Sequence, residues 1–206
     1  MTARIDTETD LATGFAALSR RDPAFAAIAH LTPPLRRRTA GFATLFQAIV
    51  GQQVSTASAA AIWARLEMAG LADPAALRAA GEEGLRAAGL SRPKIRYALA
   101  LADAAPDLDA LNALSDEAAV RELTQLPGIG RWTAEIYLLT ALGRPDVLPA
   151  GDLALQEAAR ILYHLEDRPQ ERAFRRMGEA WSPWRAVAAR YLWELYGAEK
   201  KREGMQ

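Results

Sequence analysis

Residues 126–134 read LPGIGRWTA, and a second motif, PAGD, follows at residues 149–152 and ends on the carboxylate of Asp152. Gly128 and Gly130 bracket the apolar Ile129, after Pro127 and ahead of a run with helical spacing. That order predicts a tight turn whose backbone amides open onto a helix N-terminus, a natural seat for an anion such as a phosphate diester. Prolines and glycines also do no more than stop one helix and start the next, and a bare PGIG carries only that reading. Its neighbours add to it: Trp132 stands directly behind the turn, a lone carboxylate lies downstream, and tryptophans recur toward the C-terminus.

Outward from the turn, apolar residues recur at spacings of three and four, alanine, leucine and arginine abound, and β-branched residues are sparse. The chain is therefore expected to be all-α. Ser115 opens a helix that turns Val120 and Leu123 inward; with the turn and the helix from Arg131 to about Leu142 it makes a helix-hairpin-helix over residues 120–142. Further upstream, Ser91-Arg92-Pro93-Lys94 starts a helix carrying Ile95, Tyr97, Ala98, Leu99 and Leu101, with its cations expected on the surface. LRAAG occurs at 77–81 and again at 85–89, too close for a solenoid repeat, and predicts two short helices after the Asp73-Pro74 cap. Ser55 caps a helix with Ile62, Trp63 and Leu66.

A helix from about Thr39 places Phe42, Leu45, Phe46, Ile49 and Val50 on one face and runs into Gly51-Gln52-Gln53-Val54. Two adjacent glutamines between apolar helices are either a solvated corner or amides that enter a DNA groove, where glutamine can both donate and accept. Arg36, Arg37 and Arg38 read as a solvated charge run, with phosphate contact the lesser alternative. Asp22-Pro23 starts a helix with Phe25, Ile28 and Leu31, stopped by Pro33-Pro34. Downstream, 143–149 is a linker, Asp152 caps a helix over 153–162, Arg168-Pro169 opens another, and Ser182-Pro183 caps the last. That last helix is expected to run to Gly197, with a frayed KKRE tail.

The chain has 206 residues, half of them apolar and 24% charged, enough for one domain or two small lobes. Lys plus Arg equals Asp plus Glu at 25 each, so any contact with nucleic acid has to come from local patches and helix dipoles rather than from net charge. The absence of cysteine excludes disulfides, thiolate catalysis and cysteine-ligated zinc or iron–sulfur clusters, and His30 and His164 are too few for a histidine-rich metal site. MTARIDTETD lacks the apolar core of a signal peptide and no run is long enough to span a bilayer, so the cytosol is the expected compartment, on the nucleoid if the source is bacterial.

A DNA-reading hairpin with one carboxylate nearby lacks the paired acids and metal clusters of phosphate-cleaving enzymes. One aspartate does suffice to cleave an N-glycosidic bond, where the base leaves with the bonding electrons and the carboxylate stabilises an oxocarbenium-like sugar. The nucleotide must first leave the stack. Trp132 and Trp193 are candidate walls for the extruded base, with cation–π attraction of ~1–2 kcal/mol for an alkylated, cationic purine. Trp63, Trp181 and Trp184 are expected in the core. Asp152 is equally well placed as an N-cap, and the two roles are compatible, because the helix dipole favours the charged carboxylate.

LPGIGRWTAEIYLL at 126–139 followed by DVLPAGD at 146–152 resembles the helix-hairpin-helix Gly/Pro-Asp (HhH-GPD) superfamily of DNA glycosylases, and within it the 3-methyladenine DNA glycosylase II branch. FATLFQAIVGQQVS at 42–55, GLSRPKIRYALALA at 89–102 and WSPWRAVAARYLW at 181–193 extend the resemblance over most of 42–193. It implies a two-lobed fold, with one lobe at about 42–143 and the other formed by 1–41 and 146–206, and an active-site cleft between them. It implies Asp152 as the catalytic residue, and Gly128, Ile129, Gly130, Arg131 and Thr133 as the phosphate-binding hairpin. Gln53, with Gln52 beside it, would be the wedge that fills the gap left by the flipped nucleotide, and Trp132 and Trp193 would line the base pocket. The carbonyls of Thr124, Leu126 and Ile129 would hold a structural Na+ or K+; no other cofactor, and no iron–sulfur cluster, is implied.

Trp132 occupies the position of the Schiff-base lysine in relatives resembling endonuclease III, which implies a monofunctional enzyme. Ile136 and Leu153 stand where a better-known relative has pocket tyrosines. The length implies the compact form without an N-terminal β-domain. The expected partner is damaged duplex DNA, with no membrane, and the expected state a monomer. A non-catalytic helix-hairpin-helix DNA-binding module and a bifunctional glycosylase/lyase are the alternatives.

Overall fold

A computed structural model describes residues 4–203, and these contain α-helix, short 3-10 segments and no strand. The chain divides into two compact units, Arg38–Tyr137 and the segments that flank it. The division falls inside a helix, between Tyr137 and Leu138. The sequence boundaries near 41 and 143–146 follow glycine and proline breaks, whereas the contacts follow packing.

The unit Arg38–Tyr137 holds α2 (Phe42–Gly51), α3 (Thr56–Met68), α4 (Pro74–Ala87), α5 (Arg92–Ala104), α6 (Asp116–Thr124) and most of α7 (Arg131–Thr140). The expected apolar stripe of α2 is buried through Leu45, Phe46, Ile49 and Val50, and α2 packs on α3 and α5. Trp63 of α3 meets Phe46 edge-on at 5.6 Å between ring centroids. The second LRAAG copy is reached through Gly81, whose φ of 57° breaks α4 into two short helical pieces. Lys94 departs from expectation: only 9% exposed, it is not a surface cation but lies on the apolar face of α5 with Ile95, Ala98 and Leu101.

The other unit contains α1 (Glu8–Arg21), a 3-10 segment Pro23–Ile28, the end of α7, α8 (Leu153–Leu162), α9 (Glu171–Met177), a 3-10 turn Gly178–Trp181 and α10 (Arg185–Glu203). Helix α1 was not among the expected elements. Its signal is a Thr7/Asp10 capping box ahead of Leu11, Phe15 and Leu18, all buried. Phe15 stacks on Tyr191 of α10 at 3.7 Å. Asp22-Pro23 starts only the 3-10 segment, not the longer helix expected.

Trp181 is buried as predicted, edge-on to Phe25 and Phe174 at 5.6 Å each. Its indole N–H lies 3.0 Å from the Tyr163 hydroxyl and 3.2 Å from Asp22 Oδ2. Tyr163 in turn donates to Asp22. Burial, and then the Asp22 carboxylate, push the Tyr163 hydroxyl's pKa above its ordinary range and keep it a donor.

Arg190, 1% exposed, has no carboxylate among its hydrogen-bond partners and instead donates to Leu35 O at 3.0 Å, Ala186 O at 3.0 Å and Leu139 O at 3.1 Å. Burial, reinforced by Arg37 and Arg36, lowers its pKa to about 10. Arg37 donates to Thr140 O at 2.7 Å and pairs with Asp6 at 2.9 Å. The Arg36–Arg38 run is therefore only partly a solvated face. Helix α10 continues past Gly197 to Glu203, where Lys200, Lys201 and Arg202 complement the negative end of its dipole, so neither the expected end at Gly197 nor the frayed KKRE tail is observed.

Candidate nucleic-acid and base-binding site

The hairpin is built by backbone bonds that leave the amides at the start of α7 outside the hydrogen-bond ladder. Ile129 N–H donates to Leu126 O at 3.0 Å, closing the turn, and Ala134 N–H donates to Gly130 O at 3.0 Å, starting α7. The N–H groups of Gly130 and Arg131 precede the first intrahelical bond and have no partner among the described residues. Two such amides at a helix N-terminus are suited to an anion. Gly128 adopts φ +83°, and a Cβ there would lie 2.5 Å from Cγ of Tyr97. Two separate constraints, conformation and space, therefore require glycine at 128. At Gly130 a Cβ would meet nothing within 4 Å.

Arg131 itself is committed to protein carboxylates. Its Nη atoms donate to both oxygens of Glu117 at 3.0 and 2.7 Å, and its Nε to Glu135 at 2.9 Å. The Glu117 bonds, with Glu135 adding to them, hold its pKa above the ordinary guanidinium value. The contribution of position 131 to an anion seat is thus its backbone amide. Thr133 is buried behind it.

The Gly51–Ser55 break forms as expected, with Ser55 accepting from Ser58 N–H at 3.2 Å to cap α3. Its two glutamines are used differently. Gln52 donates through Nε2 to Gly128 O at 2.8 Å and so ties the turn to the hairpin. Gln53 is exposed and sits at φ 55°, a left-handed conformation that a non-glycine residue adopts only where its surroundings dictate it. The solvent-directed side chain is Gln53, while Gln52 is structural.

A cavity of about 430 Å³ in this unit brings Gln52, Trp132, Thr133 and Ile136 together with Gln47 and Arg38. Trp132 is 43% exposed, a large apolar ring left at the surface beside the hairpin. Arg38 donates to Gln47 Oε1 at 2.7 Å, which fixes the orientation of that amide.

The PAGD turn belongs to the other unit. Asp152 N–H donates to Pro149 O at 2.9 Å and Gln156 Nε2 to Ala150 O at 2.8 Å, so the turn is pinned from within α8. Asp152 is the N-cap of α8, its Oδ1 accepting from Ala154 N–H at 2.9 Å and Leu155 N–H at 3.1 Å. Leu153 follows it with 60% exposure. Asp146, in the segment expected to be a mere linker, accepts from Ser182 at 2.7 Å and from Arg185 at 2.8 and 2.9 Å, anchoring the start of α10. Trp193, on α10, is partly buried against the core, and the Arg36 guanidinium lies 5.8 Å from its ring centroid.

Thr124, Leu126 and Ile129 offer neutral carbonyl oxygens, a donor set suited to a hard monovalent cation. Leu126 O already accepts one hydrogen bond and retains a second lone pair. Among the described residues no group of three or more His, Cys, Asp or Glu is arranged to hold a metal ion, and no helix is long and apolar enough to cross a membrane.

Residues 46–183 match the family described as HhH-GPD superfamily base excision DNA repair protein. The chain is 34% identical over 159 residues to DNA-3-methyladenine glycosylase 1 of Schizosaccharomyces pombe, covering 73% of this chain and 70% of that one. Its fold is similar to a 3-methyladenine DNA glycosylase of Schizosaccharomyces pombe in complex with abasic DNA, with TM-score 0.76, 30% identity and coverage of 88% and 95%. It is also similar to a DNA-3-methyladenine glycosidase of Bacillus halodurans, with TM-score 0.82, 30% identity and coverage of 97% and 94%.

Proposed function

This chain belongs to the HhH-GPD superfamily of base excision DNA repair proteins, and from that premise we propose that it is a monofunctional DNA glycosylase acting as a monomer on duplex DNA. Its substrates are alkylated purines such as 3-methyladenine. The observation that carries the reading is one face of the unit Arg38–Tyr137. There, hairpin amides without a partner among the described residues, a turn presenting Gln53 and an exposed Trp132 adjoin a cavity large enough for a purine.

The division of labour follows. The amides of Gly130 and Arg131 seat a backbone phosphate. Gln53 enters the gap left by the extruded nucleotide, and Trp132 and Trp193 stack on the base. The C1′–N bond breaks with its electron pair going to the base, which is already cationic when alkylated at a ring nitrogen and needs little general-acid help. Asp152 stabilises the positive sugar, and water adds at C1′ and gives up a proton. Tryptophan at 132 has no amine to form an imine, which supports hydrolysis alone. A Na+ or K+ on the carbonyls of Thr124, Leu126 and Ile129 would hold the hairpin's shape and takes no part in bond cleavage.

The test is Asp152→Asn on duplex carrying 3-methyladenine. Asparagine is as good an N-cap as aspartate, so the variant is expected to fold and bind abasic duplex while base release falls by about 100-fold or more, the scale of removing one transition-state charge stabiliser. Undiminished release would eliminate the mechanism. Duplex binding without release by the wild type would favour a non-catalytic module, and borohydride trapping of a covalent adduct would establish a lyase.

A further inference from the structure

Helix α5 touches both halves of the DNA-facing surface of its unit. Tyr97 lies against Gly128 of the hairpin. Lys94, one turn earlier and on the same side of the helix, donates through Nζ to Val50 O at 2.7 Å, in the last turn of α2. Val50 is followed directly by Gly51, Gln52 and Gln53. Gln52 closes the circuit through its 2.8 Å bond to Gly128 O. The wedge turn, the hairpin and α5 therefore form a closed frame, and of the residues whose contacts close it, Tyr97, Gly128, Gln52, Val50 and Lys94, the lysine is the charged one.

Stability alone does not account for that lysine. The bond to Val50 O is the single hydrogen bond its ammonium makes among the described residues. Burial is also the sole cause that depresses its pKa, with no carboxylate acting against it. A buried ammonium without a counter-charge is penalised by desolvation, and methionine would keep the same aliphatic packing without that penalty. What an ammonium supplies and methionine does not is a strong, charge-assisted bond that holds the end of α2 at a set distance from α5. The residues positioned by that bond are the two glutamines.

We propose that Lys94 is a positioning residue for the wedge: through Val50 O it fixes the Gln52-Gln53 turn relative to the phosphate-seating hairpin, so that Gln53 enters the duplex in register with the anchored phosphate. Lys94 acts through Gln53 and touches no reacting atom. The role rests on the glycosylase reading above.

The experiment is a double-mutant cycle read by single-turnover release of 3-methyladenine from duplex and by affinity for abasic duplex. Lys94→Met is compared with wild type, and the same change is made in a Gln53→Gly background, where glycine keeps the positive φ and removes the wedge. Lys94→Met is expected to change Tm little, the relieved ammonium offsetting the Val50 carbonyl it leaves without a donor, and to lose about 10-fold in release rate. In the Gln53→Gly background the same change is expected to lose less than about 2-fold, a coupling within the range for residues acting as one unit. Lys94→Gln, neutral but still a donor to Val50 O, is expected to lose less than Lys94→Met and serves if methionine unfolds the unit. Equal losses in both backgrounds, with the wild type active, would overturn the positioning role and leave the glycosylase reading intact. A wild type that releases no alkylated base would overturn both.

Discussion

Replacing Gly128 by alanine separates the two glycines of the hairpin, which sequence alone treats as equivalent. At Gly128 the added methyl meets two obstacles. Its φ of +83° is disfavoured for any L side chain by ~1–2 kcal/mol. The new Cβ would also stand 2.5, 2.6 and 2.8 Å from Cγ, Cδ2 and Cβ of Tyr97. Those atoms are the stem of the side chain rather than its flexible end, so the hairpin or α5 must shift, at ~1–3 kcal/mol for overpacking. Together the loss is ~2–5 kcal/mol, and with an m-value of ~2 kcal/mol/M the urea midpoint falls by ~1–2.5 M. Gly130→Ala, with open space around its Cβ, loses at most ~1 kcal/mol, the difference between glycine and alanine at a helix start. Adding Tyr97→Ala to Gly128→Ala removes the Cγ and Cδ2 overlaps but leaves the 2.8 Å approach to Cβ and the φ penalty, so part of the loss persists. Abasic-duplex affinity, titrated at fixed salt, should fall for Gly128→Ala far more than for Gly130→Ala. Equal costs for the two glycines, or a Gly128→Ala midpoint within error of wild type, would refute the account of the hairpin.

Two further outcomes probe the flanking unit. Arg190→Met withdraws the guanidinium from Leu35 O and Leu139 O, and the two buried carbonyls left unsatisfied at ~1–3 kcal/mol each should reduce unfolding free energy by ~2–6 kcal/mol; a variant as stable as wild type in urea would show that the buried charge costs as much as its bonds return. The Asp10 carboxyl is held below its ordinary value of 3.8, first by the Thr7 hydroxyl and then by the backbone amides of Thr7 and Asp6. Because the folded-state pKa is the lower one, the stabilisation is complete above the unfolded value and is lost as pH falls through the folded one. Melting curves of wild type and Asp10→Asn should therefore differ near neutral pH and converge in acid, whereas a constant difference would rule out that carboxylate as the source.

Much of the molecule was legible because helix capping and apolar period are local properties. Asp152 and Ser55 cap the helices expected of them, α2 buries the stripe read from its spacing, and the hairpin sits where PGIG placed it. The overlooked α1 carried the same kind of signal, a Thr-x-x-Asp box before apolar residues spaced by four and three. At Lys94 residue type and position point in opposite directions, and position prevails. The lysine stands four residues before Ala98 and seven before Leu101, on the buried face, and the period pointed inward while the charge suggested solvent.

By itself, then, the sequence determined the helices, their caps, the hairpin and the family, because each depends on residues a few positions apart or on motifs in a set order. Only the tertiary structure decided which polar groups are spoken for. It assigns Arg131 to Glu117 and Glu135, Gln52 to Gly128, Lys94 to Val50 and Arg190 to three carbonyls. It leaves Gln53 and the ring of Trp132 exposed. The physical reason is that a side chain's reach and partner are set by which helices pack together, and two adjacent glutamines or two nearby glycines acquire different roles only when a distant helix such as α5 lies against one of them.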